Sequence, residues 1–242
     1  MTHVHASRLS RSFPSRLNFD FPLSPKYVFP VCCRYSEPVD PMMLADVLAI
    51  DACTYEFEPR PMIYPAEVAP VIVSENGRTE IRPMRWGLIP HWAKDESLGK
   101  KLFNARVETA AQKPAFRDAW KKRRCLIPAT GFYEWNHNAD TDRKQPYHFH
   151  LPDNQPFCFA GLWETWETRP PEQPDLFGGH TAYTGSNIET FTILTTKPNE
   201  LVSKFHDRMP VIHGGVLEDW VHGFPNQNNL PKTSYLQATL VE

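Results

Sequence analysis

The sequence predicts an α+β fold: a single domain with a strongly curved antiparallel sheet or barrel at its core and a few short helices. Many short segments alternate like strands, turn signals separate them, and helical periodicity is confined to brief stretches. The 242 residues, 41% of them hydrophobic and 22% charged, are enough to bury a core without metals or disulfides. We find no internal repeat and no linker between domains.

The N-terminal half predicts a short helix and then a tight hairpin. Residues 39–50 have the apolar spacing of a short helix that follows an Asp-Pro turn. Residues 68–74 and 79–85 alternate as strands around Asn76-Gly77, a dipeptide that supplies the positive φ angles of a type I′ turn. This hairpin is the strongest local signal in the chain.

The C-terminal half predicts a second hairpin and more short elements. Residues 113–124 have the pattern of an amphipathic helix with Phe116 and Trp120 on its apolar face. Residues 146–151 and 157–163 alternate around a Pro-Asp-Asn-Gln turn and predict the second hairpin. The remaining predicted elements are a long surface loop over 165–189, a strand over 191–195 and a short helix over 216–221.

Cysteine usage and hydropathy indicate a reducing compartment. The five cysteines are odd in number, and none belongs to a C-x-x-C pair. No window reaches the roughly 20 apolar residues of a membrane-spanning helix, and the first residues lack the apolar core of a secretory signal. We therefore expect a cytoplasmic protein that needs no membrane and holds no metal or cofactor.

A basic stretch raises the question of an anionic partner. Residues 94–124 carry ten basic side chains against four acidic ones, although the net charge of the whole chain is −2. One interpretation is a solvated helix face, and the other is a surface that binds an anion such as nucleic acid.

Four groups of residues are dense in polar and aromatic side chains. Each has a structural explanation on its own, since Asn104 can cap a helix, Glu134 can pair with Arg106, and His206 can be a satisfied core histidine. The occurrence of all four groups in one chain is harder to explain by structure alone. The groups are C-C-R-Y (32–35), R-W-G-L-I-P-H-W (85–92), N-A-R-V-E-T-A (104–110) with G-F-Y-E-W (131–135), and H-D-R-M-P (206–210).

In order and spacing these groups resemble the SRAP family, the SOS response-associated peptidase domain proteins that cross-link to abasic sites in single-stranded DNA. The resemblance runs from Cys32 to about Pro210. It implies an SRAP-like fold, a role in the DNA damage response, a covalent cross-link to DNA, and lyase-like and (auto)peptidase activity.

The resemblance puts Cys32 in the catalytic position. The family begins Met-Cys-Gly, and its cysteine becomes the first residue once the methionine is removed, whereas here Cys32 follows Val31 and Cys33 replaces the glycine. An N-terminal cysteine carries an amine and a thiol that together close a five-membered thiazolidine ring on the aldehyde of an open abasic site. Since a peptide nitrogen cannot form the imine, this reaction requires that residues 1–31 are absent.

Residues 1–31 are therefore interpreted as an extension in front of an SRAP domain over 32–242. Three explanations stay open. In the first, Val31 is the true initiator, encoded by a GUG codon that was translated as valine. In the second, the Arg- and Ser-rich extension is removed by proteolysis, either as a transit peptide or by self-processing. In the third, the extension is retained and the cross-linking function is lost.

The catalytic candidates that the resemblance implies are Cys32, Asn104, Glu134 and His206. Glu134 lies between aromatic residues that can raise the pKa of its carboxyl group, so it can shuttle protons while the imine forms. His206 is the second acid or base, because imidazole titrates near neutral pH. Asn104 does not titrate and would orient the cysteine or the sugar.

The DNA-binding candidates are four arginines and one tryptophan. Guanidinium groups suit phosphate oxygens, and an exposed indole can stack on a base or act as a wedge at a strand junction. Met62 stands where the family has an asparagine, so the resemblance does not carry over any contact made by that asparagine. The candidates are Arg34, Arg85, Trp92, Arg106 and Arg208.

Two other functions stay open at this point. A cysteine peptidase would use the Cys32 thiolate activated by His206, and would need no free amine. A non-catalytic binder of single-stranded nucleic acid would be indifferent to an abasic site.

His148 and His150 share a strand face and could bind a metal, but two histidines are weak evidence. Under the main interpretation we expect a monomer whose partner is abasic single-stranded DNA at the nucleoid.

Overall fold

Two β-sheets of unequal size make up the part of the chain that the computed structural model describes. The larger sheet has nine strands and the smaller has four. The α-helices with described bounds are α1 (Val107–Ala110) and α2 (Arg117–Lys122). Short 3₁₀ helices lie at Glu96–Lys100, Pro152–Asn154 and Val202–Lys204, and none of the described helices is long and apolar enough to cross a membrane. The described residues are 32–37, 50–53, 60–136, 145–168, 186–213, 220 and 236–241.

The strands are numbered in chain order. They are β1 (Tyr35–Ser36), β2 (Ala52–Cys53), β3 (Val68–Glu75), β4 (Arg78–Trp86), β5 (Asn104–Arg106), β6 (Arg124–Ala129), β7 (Gly131–Asn136), β8 (Gln145–His150), β9 (Phe157–Glu167), β10 (Asn187–Thr196), β11 (Met209–Pro210), β12 (Ile212–His213) and β13 (Gln237–Leu240).

The larger sheet closes on itself, which confirms the predicted barrel. Its path runs β4-β3-β6-β9-β10, and β10 pairs again with β4, so five strands form a closed ring that we call the barrel. The closing contact between β10 and β4 is parallel, with Thr190 opposite Arg85 and Phe191 opposite Trp86. The ring is therefore antiparallel except where it closes, and the short strands β2 and β5 add parallel pairs with β4 and β10 outside the ring.

The first predicted hairpin is confirmed. Strands β3 and β4 pair from Val68–Arg85 to Glu75–Arg78, which leaves Asn76 and Gly77 as the two loop residues. Their φ angles are 52° and 75°, the positive values that a type I′ turn needs.

The second predicted hairpin is wrong in its pairing, although both of its strands exist. Strand β8 pairs with β7 and β13 in the four-stranded sheet, which we call the small sheet. Strand β9 pairs with β6, β10 and β12 in the larger sheet. The turn between them therefore carries the chain from one sheet to the other, because alternation specifies a strand but does not specify its neighbour.

Other boundaries differ from the prediction. The helix predicted over 113–124 is reduced to α2, since Arg124 already begins β6, but Phe116 is buried as predicted. The loop predicted over 165–189 loses both ends to β9 and β10, and residues 169–185 lie outside the described part. Nearly all of the helices predicted over 39–50 and 216–221 also lie outside it.

An aromatic core joins the small sheet to the barrel. The ring of Tyr35 on β1 lies 5.2 Å from Trp86 and 5.7 Å from Phe159, centroid to centroid. Phe132 on β7 stacks on Phe149 on β8 at 5.0 Å. These side chains are fully buried, so they fix β1, into which the Cys32 segment leads, against both sheets.

Candidate active site

Cys32 and Glu134 form the centre of the candidate site. Cys32 is fully buried in the segment that leads into β1, and its backbone N–H donates a hydrogen bond to Oε1 of Glu134 at 2.7 Å. Strand β7 puts Phe132 and Glu134 on the same inward face, because side chains two apart in a strand share a face. Glu134 is only 3% exposed, so the carboxyl group is held inside the core beside the cysteine.

The backbone of Cys32 is held in an uncommon conformation. Its φ angle is 46°, in the left-handed region that costs an L-residue about 1–2 kcal/mol. Glu134 accepts the N–H of this residue, and Asn104 Nδ2 donates to its carbonyl oxygen at 3.4 Å. Strained residues of this kind cluster at functional sites, where the surrounding structure supports them.

Burial sets the protonation of both groups. Burial is the main cause that raises the pKa of Glu134 to about 8; the hydrogen bond from Cys32 opposes it, and the Asp207 carboxylate adds a smaller upward effect. Burial and the nearby Glu134 carboxylate raise the pKa of the Cys32 thiol well above its usual range. At neutral pH, Glu134 is therefore largely a carboxylic acid and Cys32 a neutral thiol.

The turn that carries His206 packs against the same sheet. Phe205 lies 4.7 Å from Tyr147 and 5.1 Å from Phe149, centroid to centroid. The next residue, His206, is mostly buried, with Nδ1 2.8 Å from Oδ1 of Asp207. Asp207 in turn acts on the carboxyl group of Glu134 through its charge. The structure thus brings the H-D-R segment to the side of the small sheet that holds Glu134.

Arg208, predicted to bind DNA, is held by partners within the protein. Its guanidinium donates to both carboxylate oxygens of Glu108 at 2.7 and 2.8 Å, and to the carbonyl oxygen of Thr195 at 2.5 Å. The side chain is 12% exposed. Both terminal nitrogens of the guanidinium are engaged inside the protein, so Arg208 anchors the H-D-R turn to α1 and β10.

The other DNA-binding candidates lie nearer to solvent. Arg34 lies over the rings of Tyr64 and Trp135, with 5.0 and 4.6 Å from its guanidinium carbon to the ring centroids. Arg85 pairs with an exposed glutamate, Glu96, at 2.9 Å. Arg106 is exposed two residues after Asn104, and Trp92 is 46% exposed.

The basic stretch over 94–124 is divided between structure and solvent. Arg123 binds Glu164 at 2.6 Å, and Arg124 is buried with its guanidinium 5.8 Å from the Trp220 ring. The lysines of the stretch are all exposed: Lys94, Lys100, Lys101, Lys113, Lys121 and Lys122. The basic surface is therefore made mainly of lysines.

The histidine pair on β8 is occupied by internal contacts. The rings of His148 and His150 stack at 5.2 Å, and Tyr133 stacks on the other side of His148 at 4.7 Å. His150 uses both ring nitrogens in hydrogen bonds, to Leu151 O and to Thr239 Oγ1. Among the described residues, no group of three or more His, Cys, Asp or Glu side chains could hold a metal ion.

Several residues of the site were not singled out from the sequence. Asp207 stood inside the H-D-R motif, and its adjacency to His206 was the available signal. Trp135 was quoted only as part of the G-F-Y-E-W motif and Tyr64 was given no role, although aromatic residues near an arginine are a known signal for cation–π contact. Cys33 is half-buried, and burial raises the pKa of its thiol.

The fold and the site together define a class of protein: a β-barrel joined to a small sheet, with a buried cysteine held by a protonated glutamate. The model of the SOS response associated peptidase (SRAP) family matches residues 31–239. The chain belongs to this family.

Comparisons with known proteins agree with this assignment. The chain is 43% identical over 157 residues to abasic site processing protein YoqW of Bacillus subtilis (65% of this chain, 63% of the relative) and 38% identical over 187 residues to YoaM of the same organism (77% and 74%). It is 30% identical over 189 residues to HMCES of Gallus gallus (65% and 52%). The chain thus spans less than two thirds of the length of YoqW and about half that of HMCES.

Solved structures share the fold. A crystal structure of a protein from Bacteroides thetaiotaomicron has a TM-score of 0.71 and 25% identity, over 87% of this chain and 92% of the other. One from Bordetella bronchiseptica has a TM-score of 0.69 and 26% identity, over 87% and 100%.

Proposed function

We propose that this protein recognises an abasic site in single-stranded DNA and joins to it through Cys32, which forms a thiazolidine ring with the sugar aldehyde. The observation that carries the proposal is the 2.7 Å hydrogen bond between the nitrogen of Cys32 and Glu134, whose pKa is raised to about 8. The relatives' name, abasic site processing protein, supports the choice of substrate.

The proposed reaction has two steps. The α-amine of Cys32 attacks the aldehyde of the open sugar and gives an imine with loss of one water molecule. The thiol of Cys32 then adds to the imine carbon, and the thiol proton moves to the nitrogen. The second step is favoured because both nucleophiles belong to one residue. An α-amine has an ordinary pKa of about 7.7–8.0, so part of it is unprotonated at neutral pH.

Glu134 is the proton shuttle in this scheme. Burial, which raises the pKa of this carboxyl group to about 8, favours the form with a neutral amine and a protonated carboxyl, and in that form Glu134 can donate a proton to the departing water when the imine forms. Its position 2.7 Å from the attacking nitrogen lets it accept a proton from that nitrogen afterwards.

The order of the steps follows from the protonation of the thiol. The pKa of Cys32 is raised well above its usual range, so the thiolate is scarce before the imine exists. The same fact makes the cysteine peptidase a weaker candidate, because an activated cysteine has a lowered pKa.

The remaining residues support binding and orientation. Asn104 holds the carbonyl group of Cys32, and His206 is the second acid or base. Arg34, Arg85 and Arg106 contact phosphates, and Trp92 stacks on a base. Arg208 acts by anchoring the His206 turn through Glu108 rather than by contacting DNA.

The proposal is tested with protein that begins at Cys32. Mixed with a single-stranded oligonucleotide that contains one abasic site, this protein should give an adduct that survives denaturation, and the same oligonucleotide with an intact base should give none. Protein that retains residues 1–31 and has Cys32 inside a peptide bond should give no thiazolidine.

Two cysteine variants separate the amine from the thiol. Cys32→Ser should form only an imine, which borohydride reduction traps and denaturation otherwise releases. Cys158→Ala, a change at another buried cysteine, should still form the stable adduct. If protein that begins at Cys32 gives no adduct with abasic DNA, or gives it equally without the thiol, the proposal is wrong.

A further inference from the structure

His91 is a half-exposed residue on the loop Pro90–Ala93, and a buried carboxylate holds one edge of its ring. Nδ1 of His91 lies 3.2 Å from Oε2 of Glu164, a residue of β9. The His91 side chain is 53% exposed, whereas that of Glu164 is 6% exposed. One edge of the imidazole is thus fixed to the barrel while much of the ring meets solvent.

The chemistry of the two groups assigns the proton. A carboxylate only accepts hydrogen bonds, so Nδ1 of His91 carries the hydrogen and donates it to Glu164. Glu164 is itself held by Arg123 Nη2 at 2.6 Å and by the N–H of Thr165 at 3.1 Å. Nε2 is therefore the nitrogen of His91 that remains for an outside partner, as an acceptor when the ring is neutral and as a donor when it is protonated.

The loop is fixed at several further points, so His91 is presented in a defined place. The indole nitrogen of Trp166 donates to the carbonyl oxygen of Ala93 at 2.9 Å, and the N–H of Ile89 donates to Thr190 Oγ1 at 3.0 Å. The neighbouring Trp92 stays 46% exposed. A rigid loop that shows an aromatic ring and an imidazole side by side suits a nucleotide, which has a base and a phosphate.

The surroundings favour an anion. Lys94, Lys100 and Lys101 follow in the sequence and are exposed, and none has a described ion-pair partner. The Glu164 carboxylate is already neutralised by Arg123, so a protonated His91 adds a positive charge to this loop.

We propose that His91 is a phosphate-binding residue: its Glu164-bound ring directs Nε2 to a phosphodiester of the strand whose base stacks on Trp92. The contact is strong when the imidazole is protonated, with the imidazolium between a carboxylate and a phosphate, and weak when it is neutral. This inference rests on the proposed binding of single-stranded DNA and adds to it a residue and a pH dependence.

The charged groups around His91 define the pH dependence. Glu164 faces it from β9, Arg123 reaches the same carboxylate from the end of α2, and β10 contributes only the neutral Thr190. On its own loop, Lys94 and Asp95 are exposed. Glu134 and His206 belong to the same candidate site, so the pH dependence of wild type alone does not identify the group, and the difference between wild type and His91→Gln is what assigns it to His91.

The test is non-covalent binding of a labelled, undamaged single-stranded oligonucleotide, measured by fluorescence anisotropy at about pH 6 and pH 8 over a series of salt concentrations. Wild type should bind about two- to fivefold more tightly at the lower pH. His91→Gln should lose this difference, and at the lower pH its plot of log affinity against log salt should be less steep by about 0.7, the value for one phosphate contact.

Other variants distinguish the effect of the charge on His91 from an effect on folding. His91→Arg, positive at both pH values, should bind tightly at both. Glu164→Gln should reduce the pH difference in affinity, since His91 Nδ1 loses the carboxylate that fixes the ring. His150→Gln, a change at a histidine whose ring nitrogens are both engaged internally, should behave as wild type.

The outcomes are distinct. If wild type binds single-stranded DNA and His91→Gln keeps the same pH difference and salt dependence, the role of His91 is refuted and the proposed function stands. If wild type does not bind the undamaged strand at either pH, this inference fails, and the adduct with abasic DNA decides the proposed function by itself.

Discussion

Replacing Glu134 by glutamine should stabilise the protein at alkaline pH while it slows the proposed reaction. The folded-state pKa of about 8 lies above the ordinary value of 4.5 because the carboxyl group is buried. Between these values the folded state binds more protons than the unfolded state, so stability is fully present below about pH 4.5 and falls as pH rises through 8. Glutamine has no proton to lose and avoids this fall.

The magnitude follows from the same pKa values. A rise from 4.5 to about 8, at roughly 1.4 kcal/mol for each factor of ten in the ionisation constant, corresponds to about 5 kcal/mol at most. Relaxation and water entry around a buried carboxylate reduce this figure, so we expect Glu134→Gln to gain about 2–4 kcal/mol over wild type between pH 5 and pH 9. Cross-linking to abasic DNA should slow by roughly 10²–10⁴, as for a lost general acid or base.

The assay is urea denaturation of both proteins at pH 5 and pH 9. The comparison is made between proteins at each pH, so the titration of all other groups cancels. Glu200→Gln, a change at an exposed carboxylate, is the control and should show no such gain. An equal difference between Glu134→Gln and wild type at both pH values would refute the raised pKa, and an unchanged cross-linking rate would remove Glu134 from the mechanism.

Three further predictions follow from the structure. Arg208→Gln should lower the free energy of unfolding by about 1–3 kcal/mol and have little effect on the salt dependence of DNA binding. Arg106→Gln should instead reduce the slope of log affinity against log salt by about 0.7 without loss of stability. If Arg208→Gln lowers the salt slope and leaves stability unchanged, Arg208 contacts DNA. Burial and His150 lower the pKa of His148 to about 4. The stability that depends on its neutral ring is therefore present above pH 6.5 and lost as the pH falls toward 4, so the melting temperature of His148→Gln should depend less on pH across that window. Gly87 has a φ of 128°, and a Cβ added there would lie 2.4 Å from the carbonyl oxygen of Gly99, so Gly87→Ala should lower the free energy of unfolding by several kcal/mol. Gly77 has open space around it, and Gly77→Ala should cost about 1 kcal/mol. Equal losses in urea denaturation would contradict the close contact at Gly87.

The sequence predicted what local chemistry determines. Asn76-Gly77 specified both the turn and the register of β3 and β4, because two residues with positive φ leave one way to pair the flanking strands. The apolar face of α2 was also correct, with Phe116 and Ala119 buried. These features need no information from elsewhere in the chain.

Long-range pairing could not be predicted in this way. The alternating segments β8 and β9 are adjacent in the chain, and a hairpin was the local expectation. Phe149 instead stacks on Phe132, and this aromatic pair holds β8 in the small sheet. A choice between two strand partners depends on the shape of the whole core, which alternation does not encode.

The site shows the same limit at the level of single side chains. The order of the motifs predicted a common site, and the structure brings Cys32, Asn104 and Glu134 into contact. The partner of Arg208 is Glu108, 100 residues away in the chain. Nothing in the H-D-R motif distinguishes an arginine that binds a carboxylate from one that binds a phosphate.

Removal of the peptide bond before Cys32 would change the protonation of the site as well as its chemistry. In a chain that begins at Cys32, an ammonium group would stand where the backbone N–H now lies, 2.7 Å from the carboxyl group of Glu134. A positive charge at that distance favours the carboxylate, so the two groups would titrate as a coupled pair and share one proton between amine and carboxyl. The form with a neutral amine and a protonated carboxyl is the one that attacks an aldehyde. It follows that the alkaline loss of stability should be smaller in protein that begins at Cys32 than in protein that retains residues 1–31. If urea denaturation gives both proteins the same pH dependence, the amine is not beside Glu134.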